Sequence, residues 1–334
     1  MIGQQIVLAA RPEGEPKESD FALVETEVPT PGPGEILVRA LYVSVDPYQR
    51  GRMSEARSYA KSVALGEVMT SQTVGEVIES DDDRFAPGDV VVGQLGWQEY
   101  AVARGSALRR VPPSVPPTLA LGVLGATGLT AYFGLFEVGR PVPGDTVVVS
   151  GAAGAVGQVV GQLARLAGCR TVGIAGGPDK LADLTGEYGY DVGIDYKADD
   201  VNGALKAACP DGVDVYFDNV GGELSDLVLR RLALHARVVV CGQVSQYNNQ
   251  TPELGPRLLG LLIVHRARIE GFLVTDYAPR FGEAIPRLAA WLAAGKLRYR
   301  EDVTDGLENA PRAFIGMLRG ENRGKALVRV AEPG

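Results

Sequence analysis

Apolar and polar positions along the chain change rhythm near residue 145. Before it, short runs of β-branched and aliphatic residues recur at Ile36 to Val45 (ILVRALYVSV), Thr73 to Glu79, Gly88 to Gly93 and Trp97 to Ala103, bounded by Gly, Pro or Asp. Such runs predict strands, and their succession predicts a barrel-like β domain. The Pro-rich segment Val111 to Pro117 (VPPSVPP) fits neither a helix interior nor a central strand and reads as a connector. Beyond it, Leu119 to Phe136 runs eighteen residues without a charge. A membrane-spanning helix needs about 20 predominantly apolar residues. Here Gly122, Gly125, Gly128 and Gly134, with Thr127 and Thr130, predict a buried helix with close-packed neighbours instead.

From Asp145 strand-like runs alternate with helical periods. The strands are Thr146 to Ser150, Arg170 to Ala175, Val192 to Asp195, Val213 to Asn219, Ala236 to Gly242 and Arg268 to Val274. Strands separated by helices predict a parallel, doubly wound α/β sheet. The first helix places Val156, Val159, Val160, Leu163 and Ala167 on one face, with Gly168 as its stop. A last helix, Tyr277 to Gly295, precedes a strand at Gly324 to Val330 that rejoins the first domain. The expected division is residues 1–125 with 300–334, and 126–299.

Composition narrows the picture by exclusion. A chain of 334 residues exceeds a single core, which rarely grows past about 250. With 46% hydrophobic and 22% charged residues it is not a disordered chain. A net charge of −8 without a lysine-rich block argues against nucleic acid and anionic membranes as partners. Cys169, Cys209 and Cys241 stand at unrelated spacings, which excludes a disulfide framework or metal knuckle and fits a reducing, cytoplasmic compartment. The opening MIGQQIVLAA has neither the basic leader nor the apolar run of an export signal.

The strand Thr146 to Ser150 runs straight into Gly151-Ala-Ala-Gly154-Ala-Val-Gly157 and then the amphipathic helix. Glycines there let backbone approach a pyrophosphate, whose charge is stabilised by N–H groups at the helix start. An NAD site places Asp or Glu roughly 20 residues past the glycines, on the ribose 2′-hydroxyl. This chain has Gly176 and Gly177 there, followed by Pro178, Asp179 and Lys180. Small residues and an ammonium favour a 2′-phosphate, hence NADPH; in the alternative, Asp179 takes the ribose and Lys180 merely decorates a helix start.

A catalytic zinc requires three clustered protein ligands. The chain has two histidines, His235 and His265, and no cysteine in its first 168 residues, so no metal is expected. Ser150 lacks the glycine-flanked elbow of a hydrolase nucleophile and reads as a polar strand end.

Several strings, in order over nearly the whole chain, carry a family resemblance: Ser44-Val-Asp-Pro-Tyr48, Gly96-Trp-Gln-Glu-Tyr100, Gly128-Leu-Thr-Ala-Tyr132, Val149 to Gly157, Asp214 to Gly222, Cys241 to Asn248 and Gly320-Glu-Asn322. The sequence resembles the zinc-free medium-chain dehydrogenase/reductase superfamily. Within it, the sequence is similar to the branch of prostaglandin reductases (leukotriene B4 12-hydroxydehydrogenases), plant alkenal double-bond reductases and curcumin-reductase-like proteins. The resemblance implies a GroES-like substrate domain of β-barrel type, a Rossmann domain with a doubly wound parallel sheet, and a homodimer. It implies that Gly154, Ala155, Val156 and Gly157 contact the pyrophosphate of NADPH, and that Lys180 and Tyr196 hold the 2′-phosphate. Asn219, the loop of Cys241, Gly242, Gln243, Val244, Ser245 and Gln246, then Phe272, Leu273 and Val274, and finally Asn322 would line the rest of the cofactor path.

Two tyrosines are the candidates for chemistry: Tyr247, matching the family tyrosine beside the substrate carbonyl, and Tyr59, in the segment after Val-Asp-Pro-Tyr. Tyr48 reads equally as a pocket wall or as core. The chain departs from the family's Met at Gln49 and from its Met-Pro at Ala126-Thr127, both expected near the substrate. The expected activity is reduction of the carbon–carbon double bond of an α,β-unsaturated ketone or aldehyde. The alternatives are an NADPH-dependent quinone reductase and a non-catalytic NADPH-binding protein.

Overall fold

The computed structural model describes residues 1–198 and 200–332. The chain divides into two units, Met1–Gly122 with Glu301–Gly334, and Val123–Arg300. It begins with strands β1 (Ile2–Leu8), β2 (Phe21–Glu27) and β3 (Glu35–Ser44), the short helix α1 (Tyr48–Arg52), and strands β4 (Gln72–Ser80), β5 (Val90–Gln94), β6 (Tyr100–Arg104) and β7 (Arg109–Arg110). The second unit holds α2 (Ala126–Phe133), β8 (Thr146–Ser150), α3 (Gly157–Leu166), β9 (Arg170–Ala175), α4 (Pro178–Ala182) and β10 (Val192–Asp195). It continues with α5 (Val201–Ala208), β11 (Val213–Asp218), α6 (Gly222–Leu229), β12 (Leu232–Val240), α7 (Leu259–His265), β13 (Arg268–Gly271) and α8 (Phe281–Ala293). The chain then returns through β14 (Glu301–Asp305), α9 (Ala310–Leu318) and β15 (Lys325–Arg329).

In the first unit a mixed sheet runs β14-β15-β3-β4-β5-β7, and β6 also pairs with β3. Strand β3 organises it: β4 lies along one edge, while β6 meets Glu35–Arg39 and β15 meets Tyr42–Ser44 on the other. The mixed sheet is the β domain that the succession of strand-like runs predicts. β1 and β2 form a separate antiparallel pair that the sequence reading missed. The core gathers Phe21, Trp97 and Phe314, with ring centroids 5.8 to 6.2 Å apart, among Leu8, Met53 and Met69.

In the second unit all strand pairs are parallel, in the order β10-β9-β8-β11-β12-β13. This is the doubly wound order of a Rossmann sheet, which reverses direction between β8 and β11. Its strands are continuous apolar runs because both faces are covered: Val147, Val148, Val149, Val215, Tyr216 and Phe217 are all fully buried. α3 buries Val159, Val160 and Leu163 against the sheet, and Gly168 stops it at φ +84°.

Three expectations need correction. The helix expected last, Tyr277 to Gly295, begins only at Phe281, and β14 and α9 follow it before the final strand. Leu119 to Phe136 is not one helix: a 3-10 turn at Pro117–Ala120 and an extended Gly125 precede α2, and a π-helical turn, Gly134–Gly139, follows it. Gly125, at φ −119° and ψ −153°, breaks the helix, and the boundary between the units falls within the run. The last strand of the sheet ends at Gly271 rather than Val274, so Phe272 and Leu273 lie in its exit and Val274 opens a 3-10 helix. Among the described residues, no helix is long and apolar enough to cross a membrane.

Candidate functional site

The glycine turn leaves β8 at the point where strand order reverses, the position at which open α/β sheets bind ligands. Gly151 turns the chain at φ +59°. Gly157 opens α3 so close beneath it that a Cβ there would stand 2.4 Å from the Gly151 carbonyl oxygen and 2.6 Å from Ala152 Cα. Only glycine permits that approach. No side chain caps α3, whose N-cap is Val156, so its first turn is suited to an anion, while the Gly154 N–H closes the turn onto the Gly151 carbonyl at 3.0 Å. A pyrophosphate fits this cradle.

The neighbouring loop, after β11, is built on Asp218, 2% exposed. Its carboxylate accepts hydrogen bonds from the hydroxyls of Ser150 (2.9 Å), Tyr216 (2.9 Å) and Ser225 (2.5 Å), from the N–H groups of Val220 and Gly221 (3.0 Å each), and from Gln243 Nε2 (3.2 Å). Asn219 is fixed in turn, its N–H donating to Ser150 Oγ and its Nδ2 to the Ser150 carbonyl. Ser150, a polar strand end in the sequence reading, thus joins two loops. Its partner Asp218 was not singled out beforehand, since the pairing spans 68 residues.

The loop after β12 is laced to the same place. Cys241 and Gly242 N–H groups donate to the Asp218 carbonyl, and Ser245 bonds to the Val220 carbonyl through both N–H and Oγ. Tyr247 ends the 3-10 turn Val244–Gln246 and folds back, its hydroxyl accepting from Gln243 N–H at 3.4 Å. Burial, with a smaller contribution from Asp218, pushes the Cys241 thiol up to about 12. Gly154 to Gly157, Asn219 and the Cys241–Tyr247 loop are thus brought together around the ends of β8, β11 and β12.

Lys180 lies on α4, and Tyr196 is half exposed just after β10, its ring against Gly176. The end of β9 carries no acidic side chain, only Gly176 and Gly177, so the residues present fit a 2′-phosphate better than a bare ribose. Phe272 packs near Gly134 and Tyr277. Leu273 and Val274 follow it, half-buried.

The remaining candidates belong to the first unit. Asn322 donates through Nδ2 to the Gly324 carbonyl at 2.7 Å. Tyr59 is 63% exposed, and the Arg52 guanidinium sits 5.7 Å from its ring centroid and 5.8 Å from that of Tyr48. Burial, then Asp46, raises the Tyr48 phenol well above its ordinary value. Gln49 is an interior staple. Fully buried, it donates to the carbonyls of Ser44 and Thr70 and accepts from Asp46 N–H. Lys325, 2% exposed, completes the frame by donating to the Val45 carbonyl (2.9 Å) and to Asp46 Oδ1 (2.8 Å).

Among the described residues no group of three or more His, Cys, Asp or Glu is arranged to hold a metal ion.

Comparison with known proteins agrees with this architecture. A family described as the N-terminal domain of oxidoreductase matches residues 4–111, and one described as zinc-binding dehydrogenase matches residues 155–290. The NADPH-dependent curcumin reductase of Escherichia coli is 45% identical, over 97% of this chain and 96% of its own. The NADP(+)-dependent 2-alkenal reductase of Nicotiana tabacum is 42% identical, over 98% and 97%. The crystal structure of CurA in complex with NADPH from Vibrio vulnificus superposes with a TM-score of 0.95 at 45% identity, covering 99% of this chain and 100% of that one.

Proposed function

The chain belongs to the medium-chain dehydrogenase/reductase superfamily, in the branch of curcumin, alkenal and prostaglandin reductases, and from that premise we propose that it uses NADPH to reduce the carbon–carbon double bond of an α,β-unsaturated ketone or aldehyde. When bound, NADPH supplies the hydride, delivered to the β-carbon of the substrate. The chain's own task is to hold the oxygen that gains charge as that carbon is reduced. A phenol hydroxyl can donate the needed hydrogen bond.

The observation that carries this reading is the Tyr247 hydroxyl, held by the Gln243 N–H on the loop that leaves β12 beside the glycine turn. A hydroxyl that accepts one hydrogen bond becomes a stronger donor. Tyr247 is assigned as hydrogen-bond donor to the enolate oxygen, and solvent or a tyrosine supplies the proton that the α-carbon gains. Tyr59 is assigned a covering contact to the substrate. Gly154 to Gly157 bind the pyrophosphate, Lys180 and Tyr196 the 2′-phosphate, and Asn219, the Cys241–Gln246 loop, Phe272–Val274 and Asn322 the nicotinamide half.

The protein is further read as a cytoplasmic homodimer. Its three cysteines are free thiols, in keeping with a reducing compartment. β13 is an edge strand of the Rossmann sheet, and Leu259, Ile263 and Val264 on α7 are 65 to 81% exposed. An exposed edge flanked by aliphatic side chains is suited to pairing with a second copy.

The deciding experiment incubates the protein with NADPH or NADH and an alkenal, an enone or a quinone, following oxidation of the nicotinamide and the product's mass. Enone and alkenal products heavier by two hydrogens, with NADPH preferred, support the reading. Turnover confined to the quinone makes it a quinone reductase, and no turnover makes it a binding protein.

A further inference from the structure

The turns that follow β9 and β10 are tied together by one carboxylate oxygen. Asp195 closes β10, and its Oδ1 accepts from the Gly177 N–H and the Lys197 N–H, both at 3.0 Å. The side chains of Tyr196 and Lys197 fold back over Gly176 as a result. A Cβ on Gly176 would stand 2.7 Å from Tyr196 Cε1 and 2.9 Å from Lys197 Cε. The Lys197 ammonium lies 5.9 Å from the Tyr196 ring centroid, within cation–π range, on an exposed side chain.

These contacts bear on cofactor choice. At the end of β9, where an NAD site carries its ribose carboxylate, an aromatic ring and a lysine stem occupy the space that side chain would need. Asp195, which closes β10, turns its Oδ1 to the N–H groups of Gly177 and Lys197. A lysine whose stem lies against Gly176 and whose head lies on a ring is partly ordered before any ligand arrives, which reduces the entropy lost on binding.

We propose that Lys197 is a specificity-determining residue, a second ammonium beside Lys180 at the 2′-phosphate of NADPH, with Gly176 and Asp195 as the positioning residues that hold it over the turn. The proposal rests on the NADPH reading above and adds to it a residue which that reading leaves out.

Calorimetric titration of the full-length protein with adenosine 2′,5′-bisphosphate, AMP, NADPH and NADH tests it without reference to turnover. Lys197→Ala is expected to weaken the bisphosphate and NADPH by about tenfold, the cost of one charge-assisted hydrogen bond, while AMP and NADH stay within about twofold on the same scale. Lys197→Arg should retain most of the wild-type preference, and the loss should shrink as salt is raised. Equal weakening of AMP and the bisphosphate would make Lys197 merely structural, and unchanged bisphosphate affinity would remove it from the site; either overturns the proposal. If the unsubstituted protein binds NADH as tightly as NADPH, the cofactor reading itself fails.

Discussion

At Tyr247 a single oxygen carries the proposed chemistry. Tyr247→Phe removes the donor while keeping the ring, so kcat should fall by about 10² to 10³, the usual cost of losing one oxyanion donor. NADPH affinity, measured by fluorescence titration, should stay near the wild-type value; an unchanged kcat would exclude Tyr247 from the mechanism. Gly157 tests the phosphate cradle in the same way. Gly157→Ala drives a methyl group into the Gly151 carbonyl and Ala152, overpacking that costs about 1–3 kcal/mol, and both the urea midpoint and NADPH binding should drop. The glycine turn is legible in the sequence from its own strand–turn–helix context, whereas Tyr247 is picked out only by its match to the family tyrosine. The roles of Gln49 and Lys325 are not legible there: they come from carbonyl partners elsewhere in the chain, and a buried lysine looks no different in a sequence from an exposed one.

The elements that were easiest to read are those whose neighbours matter least to their pattern. Parallel strands covered on both faces are apolar throughout, so β8, β9 and β11 stand out. β1 and β2 escape notice because neither alternates cleanly, the apolar Ile2 and Leu23 being exposed while Gln4 and Gln5 are half-buried, and because twelve residues separate them. The run at 119–136 misleads because hydrophobicity reports burial and not continuity of a helix. At this scale Asp218 is the residue to test: Asp218→Ala leaves buried hydroxyls and N–H groups without their acceptor, and each buried unsatisfied group costs about 1–3 kcal/mol. A large fall in the urea midpoint is expected, with Asp218→Asn intermediate.

The Asp195 tie gives a pH dependence. The N–H groups of Gly177 and then Lys197 hold its carboxyl below the ordinary value, near 3.9. A depressed folded-state pKa contributes stability that is complete above the unfolded value and is lost as pH falls through the folded one. Thermal melts should therefore show Asp195→Asn lowering Tm at pH 7 and by less near pH 3; an equal deficit at both would mean that the charge contributes nothing.

For the molecule as a whole, stability comes from several separate buried clusters, of which the aromatic one in the first unit and the sheet core of the second are examples. Phe314→Ala opens the aromatic cluster of the first unit and should cost about 3–5 kcal/mol, read from urea unfolding. Association is tested at α7: Ile263→Glu, at a side chain 81% exposed, should shift the mass measured by light scattering from dimer to monomer with little change in the far-UV spectrum. A wild-type protein already monomeric would refute the pairing.

β15 is an interior strand of its sheet, seated between β14 and β3, and its Lys325 reaches back across 279 residues to Asp46. On a ribosome the opening stretch must therefore wait, with its sheet unclosed, while everything up to residue 329 is synthesised. At roughly 5–20 residues per second the Rossmann unit is fully made before the last interior strand of its companion emerges, so the part of the chain born first is the part finished last.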